Sequence, residues 1–546
     1  MASTSAGDAG LLKFSVSSAS SLIALQVLSR GFTFVLNQAL FRLSSPAAFG
    51  AASIQFELIL STILFLSREG IRNALLRVVP QTDQDSKIKS ANLSFLPTLL
   101  GIPLALSTSV LYSRYAGQEV RAQPGFQNAI VLYTSAAMIE LLTEPMYNFA
   151  MTSLNTNVRV RAEGFAITAK SVATVLALLY NSRTGQSDLA LRAFAFGQLA
   201  YSITLLNTYL VLFGTERALP RTSSSGSRLP WDHLNLEILR LSFSMTLQSL
   251  VKHFLTEGDK MILSWFSPLR DQGGYAMAVN YGSLVARIVF QPIEETLRLL
   301  FSRTLNAKNG FDKLKSRKQA IDTLHSLLSV QLALSVILVV FGSAYLPAIL
   351  PLVLPKQYLS TSAPSVLSAW VWYIPVLAVN GGLEAFLSSV ASTQDLNAQS
   401  RWMVGFFGVY ITSAVCLYQL GFGDSSLVYA NIINLVVRIA YCLRFTNRYF
   451  LDSRDPSTPR FRWSSTLPPI RLLVAAILSA FVVHVSERRS KAVSIAKTLG
   501  KAALLHPAFV THVGIGGVLA LCCIFAWWQA SGRHLNLPML KRSKVE

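Results

Sequence analysis

The sequence predicts an all-α polytopic membrane protein of about 14 transmembrane helices. Its arrangement is predicted as two parallel six-helix repeats around a central cavity, plus two C-terminal helices. Three observations lead to this prediction. The chain is 52% hydrophobic and only 14% charged. Its apolar runs are continuous and roughly 18–25 residues long, enough for a helix to cross a bilayer. Short patterns from the first half recur in the second. A β-barrel would instead show short segments of alternating polarity.

Each helix is located as one long apolar run that is bounded by charged or turn-forming residues. We predict membrane spans near 18–41, 46–67, 95–116, 128–150, 162–182, 190–214, 239–266, 274–301, 326–350, 365–391, 402–420, 425–443, 470–485 and 507–529. An even number of spans puts both termini on one side, and the Lys and Arg of the short loops favour the cytosol. The basic loop at 486–501 opposes this topology. Either an interfacial amphipathic helix or a misassigned final span would explain it, and its side is left open.

The predicted spans divide the chain into two related halves. The first six-helix bundle covers 1–214, and a cytosolic Ser-rich linker covers 215–237, with a composition typical of flexible segments. The second bundle covers 238–446. A cytosolic loop and two extra transmembrane helices follow at 447–530, and a basic cytosolic tail covers 531–546. Because each half has six spans, both enter the membrane from the same side, so the repeat is parallel and a binding site is expected between the halves.

The repeat is visible as matched residues. The segment 25–32 shares Leu, Gln, Leu, a cation and Phe with 247–254, step for step. Glu69, Arg72 and Arg77 then match Glu295, Arg298 and Arg303, and Glu144 matches Glu384. Chance similarity between Leu-rich helices is the alternative explanation.

Charges inside the spans are the strongest functional signal, because a cation in hydrocarbon is costly and usually faces a cavity or an ion pair. The repeat places Arg30 and Lys252 alike, and we predict that they bind a diphosphate together with Arg287, since guanidinium groups suit phosphate oxygens. The predicted cytosolic entry consists of Arg68, Glu69, Arg72 and Arg298. The gating or ion-pair candidates are Glu140, Glu144, Lys170, Glu257, Glu294, Glu295, Glu384 and Arg438. The sugar-contact candidates are Gln26, Gln198, Tyr201, Gln248, Gln291 and Asn380.

Some of these charges have a purely structural interpretation. Glu257 with Lys260 and Glu294 with Arg298 have the spacing of local ion pairs on one helix. Pro145 follows Glu140 and Glu144 and should bend their helix, because proline cannot donate the next backbone hydrogen bond. The two carboxylates then form either a polar contact between helices or a cation or proton site that gates the cavity.

Several functions are excluded or disfavoured. No Gly-x-x-x-x-Gly-Lys-Ser/Thr occurs, so an ATP-driven pump within this chain is not expected. The four cysteines lack metal-ligand spacing, His506 and His512 have no third ligand, and no cofactor or metal is predicted. Asp83 and Asp85 have no nucleotide-binding domain around them. The net charge of +21 lies mainly in short loops, which indicates membrane topology and anionic lipid rather than nucleic acid. No cleavable signal precedes the first span, which is expected to act as the targeting signal.

Several segments resemble a known family. They are 283–295 (SLVARIVFQPIEE), 255–260 (LTEGDK), 140–145 (ELLTEP) and 25–37. In these the chain resembles the eukaryotic pentamannosyl-chitobiosyl-diphosphodolichol translocation protein family. This family is the oligosaccharidyl-lipid flippase branch of the multidrug/oligosaccharidyl-lipid/polysaccharide exporter superfamily. The resemblance implies an endoplasmic reticulum membrane protein required for lipid-linked oligosaccharide assembly in N-glycosylation. It also implies a dolichyl-diphosphate heptasaccharide as cargo and two six-helix bundles around a cavity.

The sequence therefore favours a flippase, not an enzyme, that moves this glycolipid from the cytosolic to the lumenal leaflet. Its expected partners are the dolichyl-diphosphate oligosaccharide, membrane lipids and enzymes of lipid-linked oligosaccharide assembly. The lipid tail requires a lateral opening between spans one and eight. A glycolipid-binding accessory factor without transport activity is the main alternative. A membrane glycosyltransferase would need paired acids on a lumenal loop, and a small-cation exporter would need a cavity dominated by acids.

Overall fold

The computed structural model describes residues 34–77, 84–153, 155–184, 190–217, 235–305, 310–451 and 461–531. Nearly all of these residues are helical, and no strand occurs among them. In this part of the chain, eleven helices are long and apolar enough to cross a membrane: Pro46–Arg77, Ala91–Tyr115, Phe126–Thr152, Thr156–Thr184, Ala190–Phe213, Ser316–Val353, Ala363–Val390, Gln394–Phe422, Ser425–Leu451, Ile470–Ser490 and Pro507–Ser531. The all-α polytopic class is thereby confirmed.

The number of 14 spans stays a prediction. The first predicted span, 18–41, lies mostly outside the described residues. The seventh and eighth fall on long helices, Leu236–Phe266 and Leu269–Val285 continued by Gln291–Leu305. Because of their charged and amide side chains, these helices are not among the eleven that are long and apolar enough to cross a membrane. These two helices also carry the most charge of any predicted span, which is the feature that drew attention to them in the sequence.

By its internal contacts the chain forms two compact units. Among the described residues, the N-terminal unit comprises those within 34–276, and the C-terminal unit comprises those within 277–531. This division falls within a helix, whereas the sequence places the boundary between bundles at 215–237. Each unit is described separately below, and the division into two six-helix bundles stays a prediction.

The N-terminal unit is organised around its first long helix. Its helices are α1 (Pro46–Arg77), α2 (Gln84–Leu93), α3 (Leu96–Tyr115), α4 (Phe126–Leu141), α5 (Glu144–Thr152), α6 (Thr156–Thr184), α7 (Ala190–Phe213), α8 (Leu236–Phe266) and the first part of α9 (Leu269–Val285). Helix α1 packs against α3, α4, α5 and α8, while α7 packs against α4 and α6.

Glycine permits the close crossing of α1 and α8. A Cβ atom at Gly70 would overlap the Thr246 hydroxyl and lie 2.5 Å from the Ser242 carbonyl oxygen. Small residues let helix backbones approach closely in membrane proteins, where van der Waals packing largely replaces the hydrophobic effect. Gly70 lies between Arg68 and Arg72, so this contact also fixes the helical turn that carries both arginines.

The C-terminal unit is organised around α12. Its remaining helices are α10 (Gln291–Leu305), α11 (Gly310–Val353), α12 (Ala363–Val390), α13 (Thr393–Leu417), α14 (Ser425–Leu451), α15 (Ile470–Ser490), α16 (Ala492–Leu499) and α17 (Pro507–Ser531). Helix α12 packs against α10, α11 and α14. Three fully buried rings meet at this centre: Phe301 packs edge to face on Phe386, and Phe386 stacks on Phe450, with ring centroids 5.3 Å apart in both pairs. Helices α15 and α17 pack on each other and on α11. They correspond to the two extra C-terminal spans predicted from the sequence.

Candidate functional site

A cavity of about 730 Å³ lies within the N-terminal unit, lined by side chains of α1, α4, α6, α7 and α8 and by Asn37 of the helical segment 34–43. Eight residues singled out in the sequence line it: Arg68, Glu69, Arg72, Glu140, Lys170, Gln198, Tyr201 and Glu257. The sequence had placed them in separate categories of entry, gate and sugar contact. The fold brings members of all three categories to one wall, which periodicity alone does not reveal because they come from five different helices.

Four of the charged groups form one ionic network. Arg68 Nη1 donates to Glu140 Oε1 at 2.7 Å and lies 3.4 Å from Glu144 Oε1. Arg72 makes a two-point contact with Glu144, from Nε to Oε2 at 2.8 Å and from Nη2 to Oε1 at 2.6 Å. Both glutamates are buried, and Glu144 has no exposed surface. A buried carboxylate needs a hydrogen-bonded partner, and these arginines supply it from one face of α1.

Proline accounts for the position of both glutamates. Helix α4 ends at Leu141 and α5 begins at Glu144, so the chain breaks where Pro145 cannot donate a hydrogen bond to the Leu141 carbonyl. The Thr98 hydroxyl of α3 donates to that carbonyl instead, at 3.0 Å. The predicted bend and polar contact between helices are thus confirmed. A gating role for Glu140 and Glu144 stays a prediction.

The network extends through Tyr147. The Arg72 guanidinium carbon lies 3.7 Å from the centre of the Tyr147 ring, and that of Arg159 lies 5.5 Å from it. Arg159 in turn donates to Glu163 at 2.8 Å, but both of those side chains are about 40% exposed. Arg72 is therefore held both by the Glu144 carboxylate and by the Tyr147 ring, so it has little freedom to follow a ligand.

Lys170 is held far more loosely than the two arginines. Its Nζ lies 3.8 Å from Glu57 Oε2, and both side chains are 37% exposed. Helix α7 approaches α6 closely here, because a Cβ at Gly197 would overlap the Thr174 hydroxyl and lie 3.0 Å from the Lys170 carbonyl. Lys170 is consequently a cation on a fixed backbone whose ammonium group retains free hydrogen-bonding capacity. Glu57, its partner, is not among the site candidates predicted from the sequence.

The polar, uncharged part of the lining comes from α7 and α8. Gln198 is only 2% exposed, and its Oε1 has no hydrogen-bond partner among the described residues. His253 accepts or donates a hydrogen bond with the Thr62 hydroxyl at 3.1 Å and stacks on Phe65, with ring centroids 4.5 Å apart. Phe65 and His253 were missed in the sequence, since a single aromatic residue in an apolar helix carries no positional signal.

The described lining holds three cations, Arg68, Arg72 and Lys170, and four acids, Glu57, Glu69, Glu140 and Glu257. Acids are thus slightly more numerous than cations. Glu257 pairs with Lys260 at 2.9 Å, the local pair predicted from spacing. Glu69 accepts a hydrogen bond from Asn73 at 3.0 Å. The cavity is therefore a mixed-charge polar site rather than a purely cationic one.

The sequence candidates of the C-terminal unit lie in a different polar cluster. Arg438 of α14 donates from Nε and Nη2 to one oxygen of Glu384 on α12. Glu294 packs against Gly381, where a Cβ would overlap its carboxylate. It does not form the predicted local pair with Arg298. The two side chains are close enough to interact electrostatically, but no ion pair within 4.0 Å joins them among the described residues, since Glu294 lies against Gly381 of α12 and Arg298 is exposed on α10.

The remaining candidates of this unit are more dispersed. Asn380 is buried with Oδ1 unpartnered among the described residues. Gln291 and Glu295 are exposed, and Gln291 Nε2 donates to Glu295 Oε1 at 3.4 Å. Arg287 is exposed on the π-helical turn Ala286–Phe290 and donates to the Ser283 hydroxyl at 2.9 Å. Diphosphate binding by Arg287 and sugar contact by Gln291 and Asn380 stay predictions.

The repeated cations themselves are not part of the described geometry. Gln26 and Arg30 lie outside the described residues. Gln248 and Lys252 lie on α8, but their side chains are outside the description. On α8, however, the backbone position of Lys252 is adjacent to His253 and within two turns of Thr256 and Glu257, all of which line the cavity.

The family described as Rft protein matches this chain over residues 14–538. The chain belongs to the Rft protein family. It is 35% identical over 494 residues to the Man(5)GlcNAc(2)-PP-dolichol translocation protein RFT1 of Yarrowia lipolytica, covering 81% of this chain and 71% of that protein. It is 31% identical over 523 residues to the protein of that name from Schizosaccharomyces pombe, covering 92% and 95%. For the mouse protein the identity is 29% over 492 residues, covering 86% and 87%.

Membership of the Rft family confirms the resemblance found in the sequence. Among solved structures, the chain is similar to the lipid II flippase MurJ in an inward closed conformation, with a TM-score of 0.58 at 12% identity, covering 93% of this chain and 99% of that one. At this identity the similarity shows a shared fold alone. This chain therefore shares its all-helical fold with that solved structure.

Proposed function

We propose that this Rft-family chain is a flippase that moves a dolichyl-diphosphate heptasaccharide from the cytosolic to the lumenal leaflet of the endoplasmic reticulum. The relatives are named for a dolichol-linked oligosaccharide and for its translocation, which supports both the proposed cargo and its movement. The observation that carries the proposal is the polar cavity of the N-terminal unit, which combines cations, carboxylates, an unpartnered amide and aromatic rings inside a helical membrane protein. A phosphorylated glycan needs each of these groups.

The diphosphate requires cations that can leave their present partners. Arg68 and Arg72 already hold buried carboxylates at 2.6–2.8 Å, so an incoming phosphate would have to displace them. Lys170 has a longer contact of 3.8 Å and is more exposed. We therefore assign Lys170 to the diphosphate alongside the repeated cations Arg30 and Lys252. Arg68 and Arg72 then act mainly as the rigid wall and electrostatic entry of the cavity.

The sugars require hydrogen-bond acceptors and flat apolar surfaces. Sugar hydroxyl groups donate to carboxylate and amide oxygens, and the unpartnered Gln198 Oε1 is one such acceptor. Tyr201 lines the same cavity, and Phe65 with His253 supplies a stacked aromatic pair. The negative charge of the proposed cargo lies at the diphosphate end of the headgroup, where cations are needed. The uncharged sugars need acceptors, so a site with more acids than cations suits this cargo.

Cavity size sets a limit on what is enclosed. At about 730 Å³ the cavity lies within the ordinary range for small-molecule sites, about 300–1,000 Å³. We propose that it receives the diphosphate and the first sugars, while the rest of the glycan extends outside it. The dolichyl chain stays in lipid, because moving it through a polar cavity would be strongly unfavourable.

Transfer in liposomes that contain only the purified protein and the glycolipid tests this proposal. A lectin added outside reports which leaflet holds the sugar. We expect faster transfer than in empty liposomes and its loss in Arg30→Ala plus Lys252→Ala. The matched control is Lys356→Ala plus Arg401→Ala, two exposed cations that do not line the cavity and should leave transfer unchanged.

The same preparation separates transport from an accessory role. If the purified protein binds the glycolipid but transfer equals that of empty liposomes, the flippase proposal fails and a glycolipid-binding accessory function takes its place. Enzymes of lipid-linked oligosaccharide assembly would then be the partners to test. Normal transfer by the double alanine variant would instead contradict the assignment of the repeated cations.

A further inference from the structure

A second cavity, of about 330 Å³, lies in the C-terminal unit where α15 passes into α16. Six residues line it: Glu487, Arg488, Lys491, Val493, Ser494 and Lys497. Three are cations and one is an acid, so the cavity carries a local positive charge. None of these six residues lines the cavity of the N-terminal unit, and none is among the site candidates predicted from the sequence.

The turn between the two helices brings these cations together. Lys491 ends α15 in a left-handed backbone conformation with φ of 52°, and its N–H donates to the Glu487 carbonyl at 2.8 Å. The chain then re-enters a helix at once, so the last turn of α15 and the first turns of α16 face one cavity. The Ser494 hydroxyl donates to the Lys491 carbonyl at 2.8 Å and fixes this turn.

Packing directs the basic side chains of α16 outward. Ala492 and Ala496 are fully buried with Ala348 of α11 and Phe509 of α17. This apolar contact fixes one face of the short helix. Lys491, Ser494 and Lys497 follow each other at three-residue spacing, lie off that buried face and are exposed. The polar face of α16 is therefore held rigidly by the packing of its opposite face.

Glu487 is the one acid of this lining, so the cavity keeps an excess of positive charge. Neither Arg488, Lys491 nor Lys497 lies within 4.0 Å of a carboxylate oxygen in the described part of the chain. Like charges around one cavity repel each other unless an anion lies between them. A phosphate group fits, because it accepts hydrogen bonds from ammonium and guanidinium donors together.

The surroundings indicate that this phosphate belongs to a membrane lipid. Helix α15 is apolar enough to cross a membrane, and the cavity lies at its end. Leu499, the last residue of α16, and Leu504 and Leu505 shortly after it have exposed apolar side chains. A basic cavity beside exposed leucines at the end of a membrane span matches the two parts of a phospholipid, an anionic headgroup and acyl chains.

We propose that Arg488, Lys491 and Lys497 bind the headgroup of an anionic glycerophospholipid. This inference goes beyond glycolipid translocation and does not depend on it. The bound lipid would neutralise the basic loop at 486–501 and anchor α15 and α16 at the membrane surface.

Lipid binding by the purified full chain in neutral detergent tests the proposal. Binding of phosphatidylserine and phosphatidylcholine is measured with the unmodified chain and with Arg488→Gln, Lys491→Asn and Lys497→Gln combined. Asn is chosen at 491 because it tolerates a left-handed backbone. The matched control, Arg489→Gln plus Lys501→Gln, removes two exposed cations from the same segment that do not line the cavity.

We expect phosphatidylserine to bind in preference to phosphatidylcholine, with affinity falling about tenfold or more in the triple variant and about twofold or less in the control. Equal weakening in both variants would overturn the proposal, since it would indicate diffuse attraction. Preferential binding of dolichyl diphosphate, or equal binding of inorganic phosphate, at the same residues would also overturn it. Retention of the unmodified melting temperature by the triple variant establishes that it is folded, since its three side chains are exposed.

Discussion

At the scale of single residues, the charges of the cavity differ mainly in how tightly their partners hold them. Arg72 contacts both the Glu144 carboxylate, at 2.8 Å from Nε, and the Tyr147 ring, whose centre lies 3.7 Å from the guanidinium carbon. Lys170 has one carboxylate at 3.8 Å. The sequence predicts Arg72 at the cytosolic entry and Lys170 among the gating or ion-pair candidates, with no indication of how firmly either is held. The structure separates an arginine that maintains the fold from a lysine that is available to a ligand.

Replacing Glu144 should strongly destabilise the protein. Glu144→Ala leaves Arg72 without its buried carboxylate, whereas Arg68 keeps Glu140. Breaking a buried pair by removing one partner costs about 3–5 kcal/mol of unfolding free energy. Adding Arg72→Met should recover part of the loss, because it removes the uncompensated charge. The measurement is the thermal unfolding midpoint of the purified protein in detergent.

Glu163→Ala serves as the control for Glu144→Ala. Its pair with Arg159 is about 40% exposed on both sides, and an exposed helical pair contributes about 0.3–0.5 kcal/mol. Equal shifts in the midpoint for the two alanine variants would contradict the structural role of the Glu144 network.

Replacing Lys170 should reduce transport without reducing stability. Lys170→Gln removes the loosely paired ammonium group from the cavity, whereas Lys170→Arg keeps the charge. We expect liposome transfer of the glycolipid to fall at least about tenfold with Gln, as for a lost hydrogen bond to a charged group, and to be largely retained with Arg. An unchanged transfer rate with Gln would show that the diphosphate is held elsewhere.

At the scale of helices, one proline and a few glycines decide where the charges meet. Pro145 ends α4 and leaves the Leu141 carbonyl to the Thr98 hydroxyl. Gly70 brings α8 against α1, and Gly197 brings α7 against α6. The bend at Pro145 could be predicted from the sequence because proline acts locally. The partner helices of Gly70 and Gly197 could not, since a glycine permits close approach without specifying to what.

At the Leu141 carbonyl the Thr98 hydroxyl takes the place of the N–H that Pro145 lacks, and this substitution of one donor for another predicts a double-mutant result. Thr98→Val leaves the buried Leu141 carbonyl without a donor and should cost about 1–3 kcal/mol of unfolding free energy. Pro145→Ala restores the backbone N–H, so the cost of Thr98→Val should become smaller in that background. Thr98→Ser, which keeps the hydroxyl, is the control. If the two substitutions add independently in thermal unfolding, this account of the bend is wrong.

The α1–α8 crossing predicts opposite effects of two glycine substitutions. Gly70→Ala would place a methyl group onto Thr246 and should lower the thermal midpoint. At Gly164 on α6 a Cβ would meet open space. Gly164→Ala should therefore raise the midpoint slightly, because alanine's better helix propensity adds up to about 1 kcal/mol of unfolding free energy. A stabilising Gly70→Ala would mean that the two helices are not in close contact.

At the scale of the whole molecule, composition and apolar length were sufficient for the fold class and most of the helices. The Rft family was recognisable from a few segments around Glu140, Arg287 and Glu294. The cavity itself was not predictable, because several helices contribute to it and their pairing depends on close packing. Spacing could suggest Glu294 with Arg298, but only the packed structure shows Glu294 turned toward Gly381.

The central claim is that the headgroup of the glycolipid binds in the cavity of the N-terminal unit. Photocrosslinking tests it most directly, with p-benzoylphenylalanine replacing Phe65 in the cavity lining or, as the control, Phe481, which is 68% exposed on α15. We predict that a dolichyl-diphosphate oligosaccharide crosslinks at position 65 and that excess unlabelled glycolipid competes, with little reaction at position 481. A protein that binds the glycolipid yet crosslinks equally at both positions, or only at 481, would contradict the claim.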